Sequence, residues 1–144
     1  MEVRKLHPED VIAIKDNLVE NRDMFRDMTD ETIKSIMSFG VSFTCFLGDE
    51  IVACYGGIKT GNIWNAWAIF SNRPSCFIRA RAAVVLRKKL YEWKKKYPKC
   101  KLIFTVPSDL PKGERYGNFL GAEFVRVEHS KLFAGVENNI YEVN

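Results

Sequence analysis

Glycine is absent from residues 62–112 of this chain. The gap includes FSNRPSCFIRARAAVVLRKK, Phe70–Lys89, a pattern typical of a strand that ends and a long helix that begins. Many α/β proteins place a glycine-rich phosphate loop at such a junction, because glycine lets the backbone approach the phosphate closely. Its absence excludes a loop of that kind, so an anion bound at this junction must be held in another way.

Long apolar segments are also absent. No run approaches the roughly 18 residues that span a bilayer, and Met1–Lys5 leads into a polar segment and not into the apolar centre of a signal peptide. We therefore expect a cytoplasmic protein with no membrane segment. With 144 residues, 47% of them hydrophobic, the chain fits a single domain covering 1–144.

The chain also lacks the spacing of cysteine and histidine residues that is typical of a metal site. The four cysteines form no CxxC pair, and only two histidines accompany them: Cys45, Cys54, Cys76, Cys100, His7 and His129. A zinc site needs four clustered ligands, so we expect no metal. Four buried thiols in a reducing compartment are the simpler interpretation.

Charge is present but unevenly distributed around a net +4. Nine lysines and arginines fall between Arg79 and Lys99, whereas the first third of the chain is acidic. Two interpretations stay open: a basic helix that attracts phosphate, nucleic acid or an acidic partner, or a solvated outer face.

Hydrophobic periodicity and turn residues predict the order β-α-α-β-β-β-α-β-α-β-β. This is an α/β arrangement in which a strand-helix-strand crossover follows a three-stranded meander. The expected helices run to about Glu20, from Thr29 to near Gly40, over Ser75–Tyr97, and to near Gly121. The expected strands are Val3–Leu6, Val41–Leu47, Glu50–Ile58, Ile63–Phe70, Leu102–Val106, about Glu123–Ser130 and Asn138–Val143.

Three segments, in order, resemble the GNAT superfamily of acetyl-coenzyme A-dependent N-acyltransferases: VRKLHPEDVIAI, FLGDEIVACYGGI and RYGNFLGAEFVRV. The resemblance covers Val3 to Val127 and implies a GNAT-like mixed central sheet. It also implies transfer of an acetyl group from acetyl-CoA to an amine of a small molecule or a protein.

The resemblance implies a set of cofactor-binding residues where the fourth strand meets the long helix. The family motif is Arg or Gln, two spacers, Gly, a spacer, then Gly or Ala; it falls on Ile78, Arg81 and Ala83, of which only Ala83 fits. Either arginine side chains replace the glycines, or Arg81 obstructs a site that has lost the cofactor. The implied cofactor residues are Ile69, Phe70, Arg79, Arg81, Ala82, Ala83 and Asp109, the last where the family often has Asn.

The catalytic residues implied by the resemblance are less complete. Tyr116 lies near the family's general acid, but one residue early relative to Gly121, which rotates it by about 100° on a helix. The fourth strand offers no carboxylate as a base. Its aromatic residues, with those of the helix start, form either an acceptor pocket or core: Trp64, Trp67, Phe70 and Phe77.

Two further hypotheses remain open. The chain also resembles small GNAT-like proteins of T7-type phages, some of them virion components, which implies a catalytically degenerate binding protein. A third hypothesis is an acyltransferase that acts on charged tRNA, whose phosphates the basic helix could contact. Nucleic acid is a possible partner on this evidence but not the favoured one. A homodimer through exposed edge strands of the C-terminal hairpin is a further option.

Overall fold

The computed structural model describes residues 1–19, 29–38, 40–108, 113–129 and 137–143. Their strands are β1 (Glu2–Lys5), β2 (Val41–Leu47), β3 (Glu50–Thr60), β4 (Ile63–Phe70), β5 (Lys101–Pro107), β6 (Ala122–His129) and β7 (Glu137–Val143). Their helices are α1 (Pro8–Ile14), α2 (Asp30–Met37), α3 (Cys76–Lys96) and α4 (Gly113–Phe119). The strands form one mixed sheet in the order β1-β2-β3-β4-β5-β7-β6. The predicted α/β class and element order are confirmed.

The chain divides into two compact units. The first comprises Met1–Ile58 and Ala68–Leu86, and the second comprises Lys59–Trp67 and Arg87–Asn144. A single domain over 1–144 stays a prediction. No helix in the described ranges is long and apolar enough to cross a membrane.

The first unit contains an antiparallel hairpin of β2 and β3, with β1 alongside β2. The register of the hairpin runs from Val41 opposite Gly57 to Leu47 opposite Glu50. Gly48 takes the left-handed conformation, φ 61°, that a two-residue hairpin turn requires. The predicted hairpin and its Gly48-Asp49 turn are therefore confirmed.

A buried carboxylate joins α1 to β1 and β2. Asp10 accepts two hydrogen bonds from the Arg4 guanidinium, at 2.7 and 2.8 Å, and one from the Thr44 hydroxyl at 2.6 Å. It also accepts the N–H of His7, at 2.9 Å, at the start of α1. Burial alone would raise the pKa of Asp10, but the hydrogen bonds from Arg4 and Thr44 outweigh it and hold that pKa below its usual value.

Helix α1 ends at Ile14, so the expectation that it reaches Glu20 is wrong. The next residues pair instead with the segment after β4. Leu18 bridges Ser71, and the N–H of Val19 donates to the Phe70 carbonyl at 2.9 Å. This pairing takes backbone groups that a longer helix would have used internally.

The second unit is built on the first half of β4 together with β5, β7 and β6. Ile63–Ala66 pair in parallel with Lys101–Phe104, which confirms the predicted crossover, and β4 continues four residues past Ala66. β5 pairs antiparallel with β7, and β7 with β6. Its core includes a stacked pair of rings, Phe104 and Tyr141, with centroids 5.4 Å apart.

The cysteines differ in burial, contrary to expectation. Cys45 and Cys54 are buried, but Cys76 is exposed at the start of α3 and Cys100 is half-buried. The prediction of four buried thiols is wrong for the last two, because both lie in turns or helix ends at the surface. Within the described ranges, no group of three or more His, Cys, Asp or Glu residues could hold a metal ion.

Candidate anion site at the start of the long helix

The junction between β4 and α3 is held by backbone hydrogen bonds and not by glycine turns. Ser71 is fully buried; its N–H donates to the Val52 carbonyl at 2.9 Å, and its hydroxyl accepts the N–H of Arg73 at 3.3 Å. The N–H of Asn72 donates to the carbonyl of Asn17 at 2.6 Å. Pro74 is buried and fixes the backbone just before the helix. The junction therefore has a defined shape despite lacking glycine.

Ser75 caps α3. Its hydroxyl accepts the N–H of Ile78 at 3.3 Å, and its carbonyl accepts the N–H of Arg79 at 3.1 Å. The N–H groups of Cys76 and Phe77 belong to the first turn, where an α-helix supplies no acceptor of its own. Both residues are exposed. Two N–H groups at the positive end of a 21-residue helix are thus available to an anion.

Arg79 folds back onto the junction. Its Nη1 donates to the Pro74 carbonyl at 2.5 Å and makes a longer contact, 3.5 Å, with the Asn72 carbonyl. Carbonyl oxygens repel an anion, and the guanidinium offsets two of them while adding its own positive charge. Arg79 therefore both braces the junction and improves its electrostatic potential for an anion.

Arg81 lies in the second turn of α3. It is exposed and, among the described residues, makes no hydrogen bond or ion pair. Phe77, one helical turn earlier, is 75% exposed and shares its side of the helix. Residues 51–91 contain no Asp or Glu, so this part of the chain contributes no negative side chain near the helix start.

The structure places the predicted cofactor residues in two environments. Ile69 is buried and Phe70 half-buried at the end of β4, beside the junction. Ala82 and Ala83 are buried in the second turn of α3, where backbone N–H groups are used within the helix. The free N–H groups lie instead at Cys76 and Phe77, which the motif comparison missed. Ser75 was the available signal, since serine is a preferred N-cap.

Two predicted site residues, the catalytic Tyr116 and the cofactor-binding Asp109, are not fully described by the structure. Tyr116 lies within α4, but its side chain is not among the described ones, and Asp109 lies outside the described ranges. Both assignments stay predictions. Gly121 has φ 72° just after α4, which confirms the predicted glycine cap.

The aromatic residues that suggested an acceptor pocket differ in burial. Trp64 is buried and stacks on Trp93, with centroids 5.9 Å apart and planes at 14°. It therefore belongs to the core of the second unit. The largely exposed Phe77 does not, so the interpretation of the whole set as core is wrong for that residue.

Three solved structures with the same architecture are acetyltransferases. The ribosomal-protein-S18-alanine N-acetyltransferase of Escherichia coli is 11% identical over 99% of this chain and 92% of its own, with a TM-score of 0.73. A Bacillus subtilis acetyltransferase in complex with CoA is 11% identical over 99% and 97%, with a TM-score of 0.69. A GNAT-family acetyltransferase of Streptococcus pneumoniae is 10% identical over 99% of each chain, with a TM-score of 0.65.

The chain therefore has the GNAT fold, as the sequence resemblance predicted. No family model matches the sequence. No curated protein matches it significantly either.

Proposed function

We propose that this chain is an acyl-CoA-dependent N-acetyltransferase and that the pyrophosphate of acetyl-CoA binds at the first turn of α3. The observation that carries the proposal is the pair of N–H groups without an acceptor in the helix at Cys76 and Phe77, two exposed residues close in sequence to Arg79 and Arg81. The CoA complex of a Bacillus subtilis acetyltransferase with this fold supports the choice of ligand.

Arginine takes the place of glycine in this proposal. Glycine serves an anion site by bringing backbone N–H groups close, and a guanidinium serves it by reaching the phosphate with paired N–H groups. Each hydrogen bond to a charged group contributes about 1.5–3 kcal/mol. Because Arg81 is exposed in the second turn, its side chain is free to reach toward the anion without blocking the backbone of the first turn. This supports replacement of the glycines over obstruction of the site.

The reaction joins the acceptor nitrogen to the acetyl carbon. Acetyl-CoA would supply the thioester, whose C–S bond breaks as the C–N bond forms, and the leaving sulfur takes up a proton. We assign that proton to the Tyr116 hydroxyl, while the amine loses its own proton to water. The chain contributes mainly orientation and charge stabilisation. The acceptor is an amine of a small molecule or of a protein terminus, the latter by analogy with the S18-alanine enzyme.

Charge reversal along α3 tests the cofactor site. R81E places a negative charge beside the first turn and should weaken acetyl-CoA binding at least tenfold. K88E makes the same change two turns further along, about 10 Å away, and should change the affinity less than twofold. Thermal unfolding should show both variants folded. Equal affinities of the two variants would contradict this placement of the pyrophosphate.

Catalysis is tested by mass spectrometry of amines incubated with the protein and acetyl-CoA. The acceptors are a peptide with N-terminal alanine and, as a simple polyamine, spermidine. Acetylated product that disappears in Y116F is the expected result. Binding of acetyl-CoA without product on any amine would favour the alternative of a catalytically degenerate GNAT-fold binding protein, phage-encoded or cellular.

A further inference from the structure

Positive charge is concentrated in a short part of the chain. Residues 87–101 contain eight lysines and arginines and a single acidic residue, Glu92. The segment therefore carries a net +7, whereas the other residues together carry −3. Ordinary soluble surfaces intersperse the two signs. A segment of one sign needs a separate explanation.

Some of these positively charged side chains make contacts within the protein that explain their presence. Lys89 forms an ion pair with Glu92 at 3.2 Å, and Lys94 donates to the Cys100 carbonyl at 3.3 Å. Lys96 lies 5.5 Å from the centre of the Tyr97 ring. Cations in the last turn of a helix also interact favourably with the helix dipole. Lys94, Lys95 and Lys96 lie in the last turn of α3.

Four lysines make no such contact, and only Lys95 among them lies in the last turn of α3: Lys88, Lys95, Lys99 and Lys101. All four are exposed and, within the described part of the chain, none forms an ion pair. Lys88 and Lys95 are seven residues apart, so they share one side of α3 at a separation of about 10 Å. The helix dipole accounts for neither Lys88 nor Lys99, because neither lies in the last turn.

An exposed aromatic ring lies between Lys88 and Lys95 on α3. Tyr91 is 40% exposed and lines a shallow depression together with Lys88, Glu92, Lys94, Lys95 and Pro98. The Arg87 guanidinium lies 5.7 Å from the centre of the Tyr91 ring. The Tyr91 hydroxyl lies close to Gly121, where an added Cβ would be 2.5 Å from it. The Tyr91 side chain is therefore flanked by Arg87 on one side and by Gly121 at its hydroxyl end.

We propose that this basic face, defined as Lys88, Tyr91, Lys95, Pro98 and Lys99, binds single-stranded nucleic acid. The lysines contact backbone phosphates and Tyr91 stacks on a base, the combination by which proteins hold single strands without reading their sequence. An acidic protein would use the lysines but would have no base to place on the ring. The proposal is independent of acetyl-CoA binding, because it uses different residues of α3.

Fluorescence anisotropy with a labelled 12-nucleotide oligouridine tests the charge component. The wild type should bind in the micromolar range at 50 mM salt, with a slope of log K against log salt near −2 for three phosphate contacts. K88E/K95E should weaken binding at least tenfold and flatten the slope. K5E/K34E makes the same change in net charge elsewhere and should have less than a threefold effect. Equal losses in the two double variants would overturn the proposal.

Substitution of Tyr91 tests the stacking component. Y91A should weaken oligouridine binding about 5- to 100-fold, whereas Y91F, which keeps the ring, should bind like the wild type. Unchanged binding by Y91A would contradict stacking. Competition by poly-glutamate as effective as that by unlabelled oligouridine would show an acidic protein surface to be the better ligand and would overturn the assignment.

Discussion

Replacing Asp10 by Asn tests how the buried carboxylate supports the fold of the first unit. The side chain of Asp10 is 8% exposed, and it accepts hydrogen bonds from Arg4, His7 and Thr44. Removing one partner of a buried ion pair costs about 3–5 kcal/mol. The Arg4 side chain is 38% exposed and is rehydrated when the pair is lost, so the lower limit applies. We expect D10N to lower the free energy of unfolding by about 3 kcal/mol and Tm by about 10 °C.

Urea denaturation followed by circular dichroism measures this difference, with D49N as the matched control. Asp49 is exposed in the β2–β3 turn, so its replacement should change the free energy of unfolding by less than about 0.5 kcal/mol. A D10N variant as stable as D49N would refute the account of the buried carboxylate.

The pH dependence gives the same reasoning a second test. Because the pKa of Asp10 is lowered in the folded state, its stabilisation is complete above the unfolded pKa, about 3.9. It is lost as the pH falls through the lower pKa of the folded state. The stability difference between wild type and D10N should therefore stay constant from pH 7 to pH 5 and shrink below about pH 4. A difference that persists undiminished at pH 2 would contradict this origin.

Two further predictions concern packing and thiol chemistry. A helical Gly→Ala change normally stabilises by up to about 1 kcal/mol, but a Cβ on Gly117 would lie 2.7 Å from the Tyr141 ring. G117A should therefore destabilise by about 1–3 kcal/mol in urea denaturation, and stabilisation would contradict the packing. Burial raises the pKa of Cys54 to about 12, whereas Cys76 is exposed. A thiol reagent should modify Cys76 rapidly in the native protein and Cys54 only on unfolding; rapid modification of Cys54 would refute its burial.

Local sequence signals predicted the strands and the long helix closely. β2 and β4 match the predicted Val41–Leu47 and Ile63–Phe70 at both ends, because glycine and asparagine turns bound their apolar alternation. α3 differs from the predicted Ser75–Tyr97 by one residue at each end, since Ser75 caps it and Pro98 stops it. Signals that act within a few residues are visible in a sequence.

Long-range pairing was not visible. The apolar periodicity of α1 continues to Leu18, yet Leu18 pairs with Ser71, more than fifty residues away, and the helix ends early. The same limit applies to the candidate site. Sequence reasoning directed attention to this junction and its arginines, whose role stays a prediction, but the turn of Arg79 back onto the Pro74 carbonyl depends on the three-dimensional course of the junction. Which N–H groups are free depends on where the helix starts.

The most direct measurement of the central claim is a calorimetric titration of the protein with acetyl-CoA. We predict 1:1 binding with a micromolar Kd, and much weaker binding of acetyl-pantetheine, which lacks the pyrophosphate that the first turn of α3 would hold. No heat and no thermal stabilisation at millimolar acetyl-CoA would contradict the claim. The glycine-free junction would then be a GNAT-fold site that no longer binds the cofactor.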